Sequence, residues 1–303
     1  MTKRIIYTLC IDIPEHLLFE PGYSRDADRR AAENEVDHRI ERAKETKDKI
    51  DAYRYPLQWQ QMKYAKVCGA DYKCYQFDKE FLDYYRYCKN LHEALPMYHI
   101  VNYYKHHLMN KLSYEYDEVF YVDIDIIPRT KENIFEIFDM NKLWAKNNNQ
   151  LAEWGKDWDL ANYNRCDRNP ATKYWNCYAM LLEDMIVPEN DVINTGTVIG
   201  GSKAIQAMDW NNELPLMIEN MKHIQEDDDS MFPDALQSRF AFDNETMFSY
   251  LVTSKALDYD TLPEEWHGRL PDEGIDPRIK IVHAINKRFE FFFPDIEYTG
   301  RTI

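Results

Sequence analysis

The sequence predicts an α/β protein in which strands and helices alternate, and three observations carry the prediction. "RIIYTLCI" at residues 4–11 is β-branched and aromatic, "PLQWQQMKYAKVC" at 56–68 has a helical pattern closed by Gly69, and "DYKCYQF" follows as a second strand, which together open a βαβ unit. "EVFYVD" at 118–123 is apolar on both faces, as a central parallel strand should be. With 303 residues and 45% hydrophobic content, the chain can bury a large core.

The remaining elements follow in chain order. Residues 14–55 are dense in Asp, Arg, Glu and Lys, with sparse apolar residues at Val36, Ile40, Ala43 and Ile50, and read as an inserted, largely solvated helix or helical hairpin. "LPMYHIVNYYKHHLMNKLSYEYD" reads as a helix with Pro96 at its first turn, leading into the strand "EVFYVD". "DVINTGTVIGGSKAIQAM" at 191–208 reads as a strand followed by a helix, and "FDNETMFSYLV" at 242–252 as a helix start. The chain is read as one domain over 1–303, interrupted at about 14–55 by the charged insertion.

Composition removes several function classes. Basic residues number 37 against 53 acidic ones, a formal net charge of -16, which argues against a general binder of nucleic-acid backbones or a protein drawn to anionic membranes. Any anionic ligand must be met locally, by a metal ion or a few placed cations. The six cysteines, at 10, 68, 74, 88, 166 and 177, form no C-x-x-C pair and no zinc-like spacing, and read as reduced thiols. The start "MTKRIIYTLCIDIP" is too short in its apolar part for a signal anchor, and no later stretch reaches spanning length, so a soluble, cytoplasmic protein is expected.

In "EVFYVDIDII", Asp123 and Asp125 stand where the apolar run ends. In open α/β sheets ligands gather at the carboxyl ends of the strands. Two carboxylates at i and i+2 repel and lose solvation there unless a cation compensates. A divalent ion would do so, and oxygen ligands suit Mg²⁺ or Mn²⁺ bound together with phosphates. The same pair could instead be one helix-capping Asp and one solvated Asp.

The stretch "YDEVFYVDIDIIPRTKENIFEIFD" resembles the D-x-D region of GT-A fold glycosyltransferases, especially families 8 and 6. The resemblance implies a GT-A (Rossmann-like) fold with a mixed, mostly parallel sheet flanked by helices. It also implies Mn²⁺ or Mg²⁺ held by Asp123 and Asp125 against the diphosphate of a nucleotide sugar, with His283 of "IKIVHAINK" as the third protein ligand. Lys105 and Lys287 match cations near the diphosphate, although the family's longer spacing with a Gly and a Lys-Pro-Trp ending is missing after His283. Asn194 and Gly196 match an Asn-x-Gly strand that lines the donor sugar. Glu245 matches a carboxylate near the anomeric carbon. Asp243 would cap the helix or, in an inverting enzyme, act as general base. Thr8 and Tyr64 match positions that contact the nucleoside, and serve equally well as packing residues. "LPEEWHG" at 262–268 resembles a segment that precedes the last motif.

The expected activity is transfer of a sugar, with retention of configuration, from a nucleotide-diphospho-sugar, a UDP-sugar first, to a glycan or other hydroxyl acceptor. Residues 146–190 have no counterpart in the resemblance; Trp154, Trp158 and Trp175 there could stack on acceptor sugar rings or simply pack. Two rivals share the short pattern. One is a haloacid-dehalogenase-like phosphatase with Asp123 as nucleophile, although "QEDDDS" at 225–230 lacks the apolar strand such an enzyme places before its acidic pair. The other is a non-catalytic protein that binds sugar nucleotides.

Overall fold

A computed structural model describes residues 2–14, 36–148, 170–187, 191–226, 232, 234–237, 240, 242–269 and 276–296. β1 (Arg4–Cys10) shows why the sheet lies in the centre: Ile5, Tyr7 and Leu9 enter one apolar cluster, while Ile6 enters a second on the opposite face. Alternate side chains of a strand point to opposite faces, so a run apolar throughout has to be covered on both sides.

The first cover is α1 (Val36–Cys68). Among its described side chains the buried ones are Tyr53, Leu57, Gln61, Tyr64, Ala65 and Cys68, at spacings of three, four and one that keep them on one helical stripe. The charged insertion read at 14–55 and the helix read at 56–68 are not separate, because one helix runs through Pro56 and joins the second half of the insertion to the first core helix. Described outer positions such as Asp51, Ala52 and Tyr55 stay exposed. Gly69, at φ +61, ends it in the left-handed conformation that glycine adopts without steric cost, and Ala70 N bonds Ala65 O at 2.9 Å. β2 (Asp71–Gln76) then pairs parallel to β1.

The opposite face is covered by α2 (Lys79–Leu91) and α3 (Met97–Leu112), with Phe81, Tyr84, Tyr103, Tyr104, Leu108 and Met109 in the large cluster. β3 (Glu118–Val122) pairs parallel to β1, followed by the short β4 (Ile126–Pro128), α4 (Ile134–Ile137) and β5 (Leu143–Asn147). Next come α5 (Pro170–Glu183), β6 (Ile193–Gly201), α6 (Ser202–Met208), α7 (Trp210–Glu226), α8 (Asp234–Gln237), α9 (Asn244–Ser254), β7 (Tyr259–Thr261), β8 (Gly268–Arg269) and β9 (Ile281–His283).

The main sheet has the order β2-β1-β3-β6-β5-β7, and a smaller one the order β4-β9-β8. Among the described residues the main sheet has six strands, of which only β6 runs against its neighbours. This is the mixed, mostly parallel sheet flanked by helices that the resemblance implies. The reversed strand matters for function: Val122 pairs with Thr197, so the start of β6 overshoots the carboxyl end of β3. Opposite β5 the pairing jumps from Val198 with Ala145 to Asn194 with Lys146, so residues 195–197 stand out as a bulge, a device that re-aims side chains.

The described cysteines, Cys10, Cys68, Cys74, Cys88 and Cys177, are all free. Among the described residues no helix is long and apolar enough to cross a membrane.

Candidate functional site

Asp123 and Asp125 sit on the turn between β3 and β4, at the carboxyl edge of the main sheet. The turn is held from both sides. Asp123 N donates to Gly196 O at 2.8 Å, and Ala284 N to Asp125 O at 3.0 Å. From α1 the fully buried Gln61 directs its amide at Asp123 O (3.1 Å), Ile124 O (3.3 Å) and Ile126 O (3.0 Å). The antiparallel pairing of β9 with β4 sets His283 opposite Ile126, one residue past Asp125.

Three potential ligand atoms converge as a result. One from each of Asp123, Asp125 and His283 lie within 4.8 Å of one another. His283 Nε2 is 3.5 Å from Asp125 Oδ2 and 3.9 Å from Asp123 Oδ2. Two carboxylate oxygens and an imidazole nitrogen form a donor set suited to a divalent cation, so the residues present fit a divalent metal.

Cations surround the pair. The Lys287 ammonium bonds Asp125 Oδ2, and Lys105 Nζ lies 4.0 Å from Asp123 Oδ1 and donates to Thr195 O at 3.2 Å. Lys287 reaches Asp125 because it closes a turn with φ +53, left-handed backbone uncommon for a lysine. That turn brings it in despite the missing family spacing. Asp125 is 2% exposed; burial opposes its charge, but Lys287 and His283 hold its carboxyl well below the ordinary carboxylate range. Burial, then Asp123, push the Tyr121 hydroxyl far up, so it stays protonated and donates to Asp123 Oδ1.

His283 is fixed by two contacts. Its Nδ1 lies 3.0 Å from Nε2 of His267, whose Nδ1 in turn contacts Thr197 Oγ1. Burial foremost, then His283, Lys146 and Arg269, keep His267 neutral. The ring also meets Gly196, where a Cβ would lie 2.5 Å from His283 Cε1 and 2.9 Å from its Nδ1.

A second cluster continues from Gly196. Asn194 accepts from Gly196 N at 3.0 Å and donates to Glu245 Oε1 at 3.0 Å, while Thr195 N donates to the same oxygen at 3.2 Å. Lys173, on α5, bonds Glu245 Oε2 at 2.5 Å and lies 3.6 Å from Asp243. Burial disfavours the Lys173 ammonium, yet Asp243 and Glu245 outweigh it and raise its pKa. Asp243 caps α9 by accepting from Glu245 N and Thr246 N.

Asp123, Asp125, His283, Lys105 and Lys287 are thus brought together, with Asn194, Gly196, Glu245 and Asp243 adjoining them. Tyr64 is not: its hydroxyl donates to Glu132 O at 3.0 Å and accepts from Ile134 N at 3.3 Å, which makes it a bracket between α1 and the start of α4. Thr8 is fully buried on β1 opposite Cys74, and its Oγ1 has no hydrogen-bond partner among the described residues. Trp175 packs against the core, on the face of α5 where it meets Tyr174 and Tyr178. Trp154 and Trp158, the first part of the charged insertion (residues 15–35) and most of "QEDDDS" lie outside the described residues.

Sequence reasoning missed Gln61, His267 and Lys173. Gln61 had a signal, a polar residue on an otherwise apolar helical stripe. His267 stood in "LPEEWHG" with nothing to mark its partner, and Lys173 in a stretch with no counterpart in the resemblance.

The six-stranded mixed sheet thus gathers two carboxylates and a histidine at its carboxyl edge. Among solved structures the chain is similar to the apo form of mouse xyloside xylosyltransferase 1, at 12% identity and a TM-score of 0.39, over 71% of this chain and 75% of that one. It is also similar to a glycosyltransferase involved in the glycosylation of the major capsid of PBCV-1, at 9% identity and a TM-score of 0.40, over 96% of this chain and 99% of that one. No protein-family model and no curated protein matches the sequence.

Proposed function

We propose that the protein is a metal-dependent glycosyltransferase, one cytoplasmic catalytic domain over 1–303, that moves a sugar from a nucleotide-diphospho-sugar, a UDP-sugar first, to a glycan or other hydroxyl acceptor. The observation that carries this reading is the convergence of Asp123, Asp125 and His283 between two lysines, Lys105 and Lys287, at the edge where β3 ends. A diphosphate is what such a mixed set of metal ligands and cations would bind. Mn²⁺ or Mg²⁺ bound there would supply Lewis-acid stabilisation of the departing diphosphate.

The chain's own residues have distinct parts. Lys105 and Lys287 meet negative charge on the diphosphate oxygens. Asn194 and the bare backbone of Gly196 line the sugar. Glu245, next to them, places a carboxylate where positive charge develops at the anomeric carbon as its bond to the phosphate oxygen breaks and the bond to the acceptor oxygen forms. With retention, the acceptor proton leaves to the departing phosphate oxygen. Asp243 is the first candidate base for an inverting course, but its oxygen is engaged by the N-terminus of α9.

The test is thermal protection and turnover across a panel of nucleotide sugars, with and without Mn²⁺. Mn²⁺ plus UDP should raise the melting temperature, and a ligand at 100 times its Kd adds about 2.7 kcal/mol through linkage. Asp125→Ala should abolish that rise. An unchanged rise in Asp125→Ala refutes the metal assignment, and an aspartyl-phosphate on Asp123 would make the protein a phosphatase instead.

A further inference from the structure

His283 has two ring nitrogens, and only one can hold a proton while the other serves as a metal ligand. Its Nε2 faces Asp125 and Asp123, at 3.5 and 3.9 Å, and its Nδ1 faces His267 Nε2 at 3.0 Å. His267 continues the chain inward, with its Nδ1 on Thr197 Oγ1. Both imidazoles are almost wholly enclosed, at 2% and 6% exposure, so water does not replace these partners.

With both imidazoles neutral, two proton arrangements satisfy this chain. In the first, Thr197 donates to His267 Nδ1, His267 Nε2–H donates to His283 Nδ1, and His283 Nε2–H points at the carboxylates. In the second, His283 Nδ1–H donates to His267 Nε2 and His267 Nδ1–H to Thr197, which leaves the His283 Nε2 lone pair bare toward Asp123 and Asp125. Only the second is a metal ligand. Passing from the first to the second removes a proton from His283 Nε2 and puts one on His267 Nδ1, exchanged through water, with no change in net charge.

We infer that His267 is a positioning residue: by accepting from His283 Nδ1 it holds His283 in the tautomer that offers Nε2 to a metal ion. The inference rests on the metal reading above. Partners of this kind fix the orientation and tautomer of ligating histidines, and their loss typically costs 10–100-fold in metal affinity. A carboxylate or backbone carbonyl is the usual partner; here a second imidazole occupies that place, so metal binding should be felt at a ring that never touches the ion.

The test is two-bond ¹H–¹⁵N spectroscopy of the histidine side chains of the wild-type protein, before and after addition of Zn²⁺ alone as a diamagnetic probe, together with Mn²⁺ affinity by calorimetry. With Zn²⁺ bound, both His283 and His267 should be Nδ1–H tautomers. His267→Phe, which keeps a ring and removes the acceptor, should weaken Mn²⁺ binding about 10–100-fold, and His267→Gln, whose amide oxygen can accept, should recover most of it. If the wild type binds neither Zn²⁺ nor Mn²⁺, the metal reading itself is wrong and the inference falls with it. If Zn²⁺ binds while His267 keeps its proton on Nε2, or if His267→Phe binds Mn²⁺ as the wild type does, the metal site stands and His267 has no part in it. The wild-type spectra decide the matter even where His267→Phe does not fold.

Discussion

Gly196→Ala is a one-carbon perturbation whose consequence can be worked out from distances. Gly196 has an ordinary backbone conformation, so alanine meets no φ penalty, and in a strand interior it is intrinsically favoured over glycine by roughly 0.5–1 kcal/mol. The obstacle is space. The new Cβ would lie 2.5 Å from His283 Cε1, 2.9 Å from His283 Nδ1 and 3.0 Å from Asn194 Oδ1. Ordinary contact begins at 3.4 Å, so the His283 ring must retreat by about 0.9 Å, the difference between 3.4 and 2.5 Å. It cannot do so freely, because its Nδ1 is tied to His267. A metal–imidazole bond, about 2.0–2.1 Å for zinc, tolerates little of that displacement. Mn²⁺ affinity, measured by calorimetry, should therefore fall about 10–100-fold, the loss seen when a ligand's support is removed. The melting temperature of the metal-free protein should move by only a few degrees. Wild-type Mn²⁺ affinity in Gly196→Ala would show that His283 is not a ligand, or that its ring is not confined as described.

Other perturbations probe the supports of the site. Gln61→Leu removes the side-chain donor that three carbonyls of the Asp123 turn share, and should cost about 1–3 kcal/mol in denaturant unfolding while weakening Mn²⁺ binding; no change in either would mean that the turn holds itself. Lys173→Met leaves Glu245 and Asp243 buried without their cation and should cost about 3–5 kcal/mol, with partial recovery in the Lys173→Met/Glu245→Gln double variant; additive losses in that double variant would refute the pairing. Glu245→Gln keeps the oxygen that accepts from Asn194 and Thr195 but removes the charge, so turnover should drop strongly while nucleotide affinity stays near wild type, and normal turnover would leave Glu245 a helix-start residue.

The sequence by itself determined the strand that carries Asp123 and Asp125. An apolar run long enough to cross a sheet and buried on both faces must end at the sheet's edge, and charge can only follow it there. It likewise determined that helices cover both faces, because periodicity along a helix or strand is a local property. Tertiary structure decided what surrounds those carboxylates. Gln61 reaches the turn across 62 residues and Lys287 reaches Asp125 across 162, separations at which no local pattern reports a contact. Pro56 reads locally as a break, yet α1 runs through it, with Tyr53 buried before the proline and Leu57 just after it. Tyr64 fits a nucleoside-contacting position by motif, but its hydroxyl is taken up by Glu132 and Ile134. Gly196 reads only as a flexible residue in a strand; that it leaves room for the His283 ring follows from the antiparallel course of β6 and the register of β9 against β4. Those pairings depend on how the two sheets meet, a property of the whole packed chain rather than of any stretch of it.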